Sequence, residues 1–246
     1  MPRYFPRAAL AAALMIATPV AAGAQALSPQ QRQEVETVLR DYLKRNPEFL
    51  IEVLQAAEEK QQQAQMVRAR ETIVAERQLL TANPGDPVAG NPKGDVTVVE
   101  FFDYNCPYCK QVKPVVAGVL EKDRKVRIVY KEFPILGPAS EFAARAALAA
   151  HKQDKYLAFH HALMGNKARL SEESVLSTAK AVGLDVERMK RDMQDPGIAA
   201  RIAETRELAV RIGIRGTPAL VIGDELLPNA FEAGAMEAMI DKARKG

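Results

Sequence analysis

Cys106 and Cys109 are the only cysteines among 246 residues, and only Pro107 and Tyr108 separate them. A strand-like run, Val96 to Phe102, leads into this pair, and a helix-like run, Lys110 to Leu120, leads away from it. The strand must therefore hand over to a helix at the first sulfur. A helix N-terminus offers unpaired N–H groups and a partial positive charge. Both favour thiolate over thiol, and thiolate is the reactive species. The second sulfur is near enough to resolve a mixed disulfide. A structural zinc site normally takes four Cys or His ligands, and no second cysteine pair exists. The pattern reads as a redox disulfide.

The first residues suggest where that chemistry occurs. Arg3 and Arg7 precede an apolar run, Ala8 to Val20, and small-x-small patterns follow at Ala22-Gly23-Ala24 and Ala24-Gln25-Ala26. Residues 1–26 are expected to be a secretory signal peptide. The apolar run is short for a membrane span, so an anchor is the competing reading. With no cysteine near the cleavage region, no lipoprotein anchor is expected. Export implies an oxidising compartment, where a lone Cys-x-x-Cys is the working disulfide. The formal net charge is +3; losing Arg3 and Arg7 without an acid leaves +1. That balance gives no electrostatic case for a nucleic-acid partner.

Residues 27–83 are expected to be helical. Ser28, Pro29 and Gln31 form a capping-box start, and Val35, Val38, Leu39, Tyr42 and Leu43 then share one face. Asn46-Pro47 breaks this helix and starts another by the same cap-then-Pro logic. From Glu48 to Asn83 there is neither Pro nor Gly, enough for about 50 Å of helix. Phe49, Leu50, Ile51, Val53 and Leu54 open it, a polar stretch from Glu58 to Gln65 follows, and Met66, Ile73 and Leu80 recur every seven residues. Helices this apolar hide too little surface in a hairpin. The polar stretch reads as the start of a stalk, Glu58 to Leu80, behind a self-associating tip. The alternative is an amphipathic helix lying on its own domain.

Pro84, Gly85, Pro87, Gly90, Asn91, Pro92 and Gly94 mark residues 84–94 as a linker. The catalytic domain is expected over 95–246. A second strand is read at Val126 to Phe133, and a third at Ala219 to Ile222, followed by a turn and a last helix near Gly234 to Arg244. Between them, about 138–210 reads as helical, with helices at Ala143 to His151, Tyr156 to Met164, Ser171 to Val182 and Pro196 to Ile212. The order predicts an α/β protein: a thioredoxin-like fold with an inserted helical domain, plus an N-terminal helical oligomerisation segment.

Gly216-Thr217-Pro218 precedes the third strand. A Pro there can be a simple edge residue. Beside a Cys-x-x-Cys it predicts a cis-proline loop facing the sulfurs, with the Thr217 backbone free to pair with a substrate strand. Glu100 stands six residues before Cys106, with apolar neighbours on both sides. Burial would raise its pKa and suit proton transfer. His151, His160 and His161 are the only histidines. Adjacent helix positions do not share a face, so His160 and His161 are expected in exposed or capping roles, and no metal site is expected.

The runs Glu100-Phe101-Phe102-Asp103-Tyr104-Asn105-Cys106-Pro107-Tyr108-Cys109-Lys110, Lys131-Glu132-Phe133-Pro134-Ile135-Leu136-Gly137 and Gly216-Thr217-Pro218-Ala219 resemble the DsbA-like thiol–disulfide oxidoreductases of the bacterial periplasm. Leu27 to Leu54 is similar to the N-terminal domain of the ScsC (suppressor of copper sensitivity) branch, which includes a trimeric isomerase. The resemblance implies Cys106 as nucleophile, Cys109 as resolving thiol, Pro218 as the cis-proline and Glu100 as a buried proton relay. Substrate contacts fall to Pro107, Tyr108 and Thr217. The Pro-Tyr dipeptide departs from the Pro-His of the strongest oxidases and removes an imidazole from Cys106. The implied activity is protein disulfide isomerase or reductase in the periplasm, with no cofactor beyond the Cys106–Cys109 disulfide. The implied partners are cysteine-containing exported proteins, a membrane redox partner and copies of the chain itself, a trimer by resemblance. The alternatives are a monomeric disulfide oxidase, a copper-binding protein using the same soft thiols, and a holdase using the apolar helices.

Overall fold

The computed structural model describes residues 27–227 and 231–245. The expected signal peptide, 1–26, lies outside the described residues. The chain divides into two units, Met1–Ala56 and Ala57–Gly246.

In the first unit, helix α1 spans Pro29–Arg45 and helix α2, Pro47–Ala75, begins. Ser28 Oγ accepts from the Gln31 N–H at 3.2 Å, and Gln31 Oε1 accepts from the Ser28 N–H at 2.9 Å. The N–H groups of Gln31 and of the cap residue Ser28 are thereby satisfied, and Pro29 has no N–H to leave unpaired. Asn46 behaves differently from expectation. Its side chain donates back to the Tyr42 carbonyl at 2.8 Å, closing α1 rather than capping α2. Tyr42 and Phe49 meet edge to face at 6.1 Å. No residue from 27 to 56 is buried.

The second unit starts within α2. The long helix expected to reach Asn83 is interrupted at Glu76, and a short helix α3, Arg77–Thr81, follows. Ala69, Ile73 and Leu80 are buried in the unit's own core. The expected stalk therefore stops by Ala69, because its second half covers one face of a sheet. The expected linker 84–94 contains strand β1, Val88–Gly90, which pairs antiparallel with β3, Val126–Glu132. Gly90 has φ +74°, and a Cβ there would meet the Val126 carbonyl oxygen at 2.5 Å, so only glycine fits. Asp86, just before β1, is buried and ion-paired with the buried Lys131.

Strand β2, Val96–Phe102, is central; it runs parallel to β3 and antiparallel to β4, Ala219–Ile222. Strand β5, Glu225–Leu227, pairs with β4, giving the order β1-β3-β2-β4-β5. Both faces of β2 are covered, which is why its sequence is apolar rather than alternating. On one face Val98 and Phe102 meet Val112, Val116 and Val119 of helix α4, Pro107–Lys122, and Met236 and Ile240 of the last helix. On the other, Val99 and Phe101 meet Ile73, Leu80, Leu208 and Ile212.

The stretch expected to be helical holds α5 (Pro138–His151), α6 (Tyr156–Gly165), α7 (Glu172–Ala181), α8 (Val186–Asp192) and α9 (Pro196–Ile212). Helix α8 was not expected; Asp185 caps it by accepting from the Arg188 N–H at 2.9 Å. Its seven residues are too few to show a period. Helix α5 begins at Pro138, five residues earlier than expected, with Pro at its first position. Helix α10 spans Ala233–Lys245.

Candidate active site

Cys106 is the N-cap of α4, in an extended conformation, and Pro107 occupies the first helical position. The strand-to-helix handover thus falls on the first sulfur. Cys106 is 4 % exposed and Cys109, one turn into the helix, is fully buried; both are free thiols. The Cys106 N–H donates to the Asp103 carbonyl at 3.0 Å. Several donors converge on the first sulfur. The Cys109 thiol is the strongest, followed by Thr217 and the N–H groups of Cys109 and Tyr108; together they overcome burial and pull the Cys106 pKa down to about 5. Burial, and then the neighbouring Cys106, push the Cys109 thiol up. At neutral pH the first sulfur is a thiolate and the second a thiol, which is the asymmetry that exchange needs.

The Thr217–Pro218 peptide bond is cis. When protonated, Cys106 Sγ donates to the Thr217 carbonyl at 3.2 Å, so this loop lies directly against the first sulfur. Glu100 is buried, and alternation along β2 puts it on the sheet face that also carries Cys109. Burial pushes its carboxyl up to about 7. Tyr108 is 56 % exposed, with its ring edge to face against Phe231 at 5.7 Å.

His160 differs from expectation. It is buried among Tyr104, Tyr130, Tyr156 and Phe102, and burial lowers its pKa. Its Nδ1 lies 3.2 Å from the Tyr104 hydroxyl. The hydroxyls of Tyr104 and Tyr156 donate to the buried Glu132 at 3.0 and 2.7 Å. Tyr156 lies one turn before His160 on α6, but Phe102, Tyr104 and Tyr130 come from distant segments and leave no periodic signal, so the sequence did not show this site. Among the described residues, no group of three or more His, Cys, Asp or Glu could hold a metal ion. Two soft sulfurs remain as possible ligands.

Further residues of the site went unrecognised in the sequence. Lys110 Nζ donates to the Asn166 and Ala168 carbonyls at 2.6 and 3.1 Å, pinning the α6–α7 loop beside α4. Asn105 accepts from the Leu170 N–H at 2.7 Å. Phe231, against Tyr108, and Ile135 and Leu136, whose N–H groups donate to Asp103, are exposed apolar residues. Asp103, Asn105 and Lys110 lie within four residues of Cys106, and Ile135 and Leu136 lie in a run that carries the resemblance, but no local pattern gave any of them a role.

A family model described as a DSBA-like thioredoxin domain matches residues 97–241. A second, the copper resistance protein ScsC N-terminal domain, matches residues 31–64. A crystal structure of a thioredoxin-like oxidoreductase from Silicibacter pomeroyi is 51 % identical, with a TM-score of 0.68, covering 69 % of this chain and 98 % of that one. Proteus mirabilis ScsC in a transitional conformation is 32 % identical, with a TM-score of 0.66, covering 89 % of this chain and 99 % of that one. The probable disulfide bond formation protein D of Bacillus cereus is 28 % identical over 169 residues, 63 % of this chain and 77 % of that protein. The chain also matches the Na(+)/H(+) antiporter NhaA 1 of Salinispora arenicola at 31 % identity, over 65 % of this chain, but spans only 25 % of that protein's length. The chain belongs to the DsbA-like thioredoxin-domain family, with the N-terminal domain of its ScsC branch.

Proposed function

We propose that the protein carries out thiol–disulfide exchange on cysteine-containing exported proteins, as an isomerase or reductase in the periplasm. The observation that carries this reading is the unequal pair of sulfurs at the start of α4. The Cys106 thiolate attacks a substrate disulfide; its S–S bond breaks, and the leaving substrate sulfur takes a proton. The mixed disulfide then has two fates. A thiolate of a different cysteine of the same protein can attack the substrate sulfur bonded to Cys106, forming a new substrate disulfide and expelling the Cys106 thiolate, which is isomerisation. Alternatively Cys109 passes its proton to Glu100, attacks Cys106 and releases a reduced substrate, which leaves the Cys106–Cys109 disulfide. A membrane redox partner would reduce that disulfide again. No cofactor beyond the two sulfurs is called for.

Isomerisation is favoured by the N-terminal unit. Val35, Val38, Leu39, Tyr42, Phe49, Leu50, Ile51, Val53 and Leu54 are all exposed large apolar residues. Covering them by copies of the same chain would link several thiolate sites, a trimer by the resemblance above. Linked sites act on one substrate at high effective concentration. The test is recovery of activity from a substrate protein with scrambled disulfides, with the mass measured by light scattering. An oligomer that restores activity fits; a monomer that only oxidises thiols does not.

A second reading, a monomeric oxidase, has its own support. A stabilised Cys106 thiolate, with a pKa near 5, makes the reduced form favourable and the disulfide a stronger oxidant. The redox potential decides between them. A copper-binding role of the same sulfurs would appear as tight Cu(I) binding that blocks exchange.

A further inference from the structure

The proposed exchange steps give Asp103 no role, although it lies three residues before Cys106 and is 1 % exposed. Its carboxylate is fully occupied. Oδ1 accepts from the Asn105 N–H and the Ser140 hydroxyl, each at 2.7 Å. Oδ2 accepts from the N–H groups of Ile135 and Leu136 at 2.8 and 2.9 Å. One buried side chain therefore ties the turn that ends in Cys106 to the loop after β3 and to the first turn of α5. Asn105 adds a second tie, donating to Ser140 Oγ at 3.2 Å and accepting from the Leu170 N–H. Arg169 donates to the Leu136 carbonyl at 3.3 Å.

The Ile135 and Leu136 side chains nevertheless remain 40 % and 38 % exposed. Scattered exposed apolar residues are ordinary. A buried charge that fixes their backbone is not. Charge-assisted hydrogen bonds are stronger than neutral ones, so the segment is held rigid while its apolar side chains face outward. The donors that set the Cys106 pKa are Cys109, Thr217 and Tyr108, and the Asp103 side chain is not among them.

We propose that Asp103 is a positioning residue that holds Ile135 and Leu136 as a rigid lip for the polypeptide substrate at Cys106. The partner is an extended cysteine segment with a bulky apolar side chain near its cysteine. Asp103 sets how well that segment docks and leaves the reactivity of the thiolate alone. This rests on the disulfide-exchange reading and goes beyond it by separating docking from chemistry.

The test compares the full mature chain with Asp103→Asn on two substrates, a peptide disulfide with leucine beside the cysteine and a small aromatic disulfide. An amide has one acceptor oxygen and one donor nitrogen, so either orientation turns a donor towards donors already in place. Loss of such charge-assisted bonds should raise KM for the peptide about tenfold. The kcat, the rate with the small disulfide and the pH midpoint of Cys106 alkylation should stay as they are. Equal loss on both substrates, a moved alkylation midpoint or an unchanged KM would overturn the proposal. If Asp103→Asn does not fold, Leu136→Ala, on the exposed lip, should give the same selective rise in KM, and an unchanged value would sink the idea. In the unaltered protein, native-state hydrogen exchange should show slow Ile135 and Leu136 amides; exchange at open-loop rates would contradict the hub. Failure of the unaltered protein to react with either disulfide would instead remove the exchange reading itself.

Discussion

At the scale of single residues, the site is a set of unequal environments for chemically similar groups. Cys106 and Cys109 differ because one caps a helix and the other is buried inside its first turn. Cys106→Ser should abolish exchange, and Cys109→Ser should accumulate mixed disulfides through Cys106, visible on non-reducing gels. Alkylation of Cys106 should have its midpoint near pH 5; faster labelling of Cys109 in mild acid would reverse the assignment. Glu100 supplies a second pH-dependent signature. Its folded pKa, about 7, stands above the ordinary glutamate value of 4.5, so the fold prefers the protonated carboxyl. Stability from this group is complete below about pH 4.5 and is lost as pH rises through 7, by about 3 kcal/mol in all. Cys106 works in the opposite direction, because its lowered pKa adds stability at high pH that is lost as pH falls through 5. The Glu100 effect is therefore read in a Cys106→Ser background, where urea midpoints should fall between pH 5 and 8. Glu100→Gln should flatten that decline, and an unchanged decline would show that another group titrates.

At the scale of elements, the segment before the sheet is held by buried charge as well as by apolar packing. Lys131 donates to Asp86 and, at 2.6 Å, to the Leu79 carbonyl, and Arg201 reaches Asp86 at 3.2 Å. Lys131 belongs to β3 on the face opposite Glu132, so a single strand serves a latch on one side and the Tyr104–Tyr156–His160 cluster on the other. Breaking a buried pair by removing one partner costs far more than exchanging both partners for apolar ones. Lys131→Met should destabilise the protein by about 3 kcal/mol, and the added change Asp86→Leu should recover much of that in urea unfolding. A loss under about 1 kcal/mol for the single variant would mean that Arg201 alone satisfies Asp86.

At the scale of the whole molecule, the two units make different demands. Ala57–Gly246 has its own buried core, whereas no residue from 27 to 56 is buried. A deletion that tests the role of the N-terminal unit must stop near residue 56, because Ala69, Ile73 and Leu80 belong to the sheet's core. Removal of residues 27–56 should give a folded monomer that still reduces disulfides but no longer restores a scrambled substrate. Retained isomerase activity in a monomer of that kind would separate the apolar helices from the function. Light scattering of the longer chain at micromolar concentration settles the premise.

The sequence by itself determined the local chemistry. Cys106, Pro107, Tyr108 and Cys109 between an apolar strand and a helix specify the motif, because a helix start and its cap are local events. The capping box at Ser28 and Gln31 and the strands β2, β3 and β4 were legible for the same reason. Tertiary structure decided what depends on distant neighbours. The turn-rich 84–94 became an edge strand because β3 offered an unpaired side, and the long helix broke at Glu76 as Ile73 and Leu80 both entered one core. His160 was drawn into a cluster assembled from β2, β3 and α6. Asp103, a plain loop aspartate in sequence, became a hub only when Ile135, Leu136 and Ser140 were folded against it. Local rules fix a residue's conformation, but burial and hydrogen-bond partners are set by which segments the core brings together.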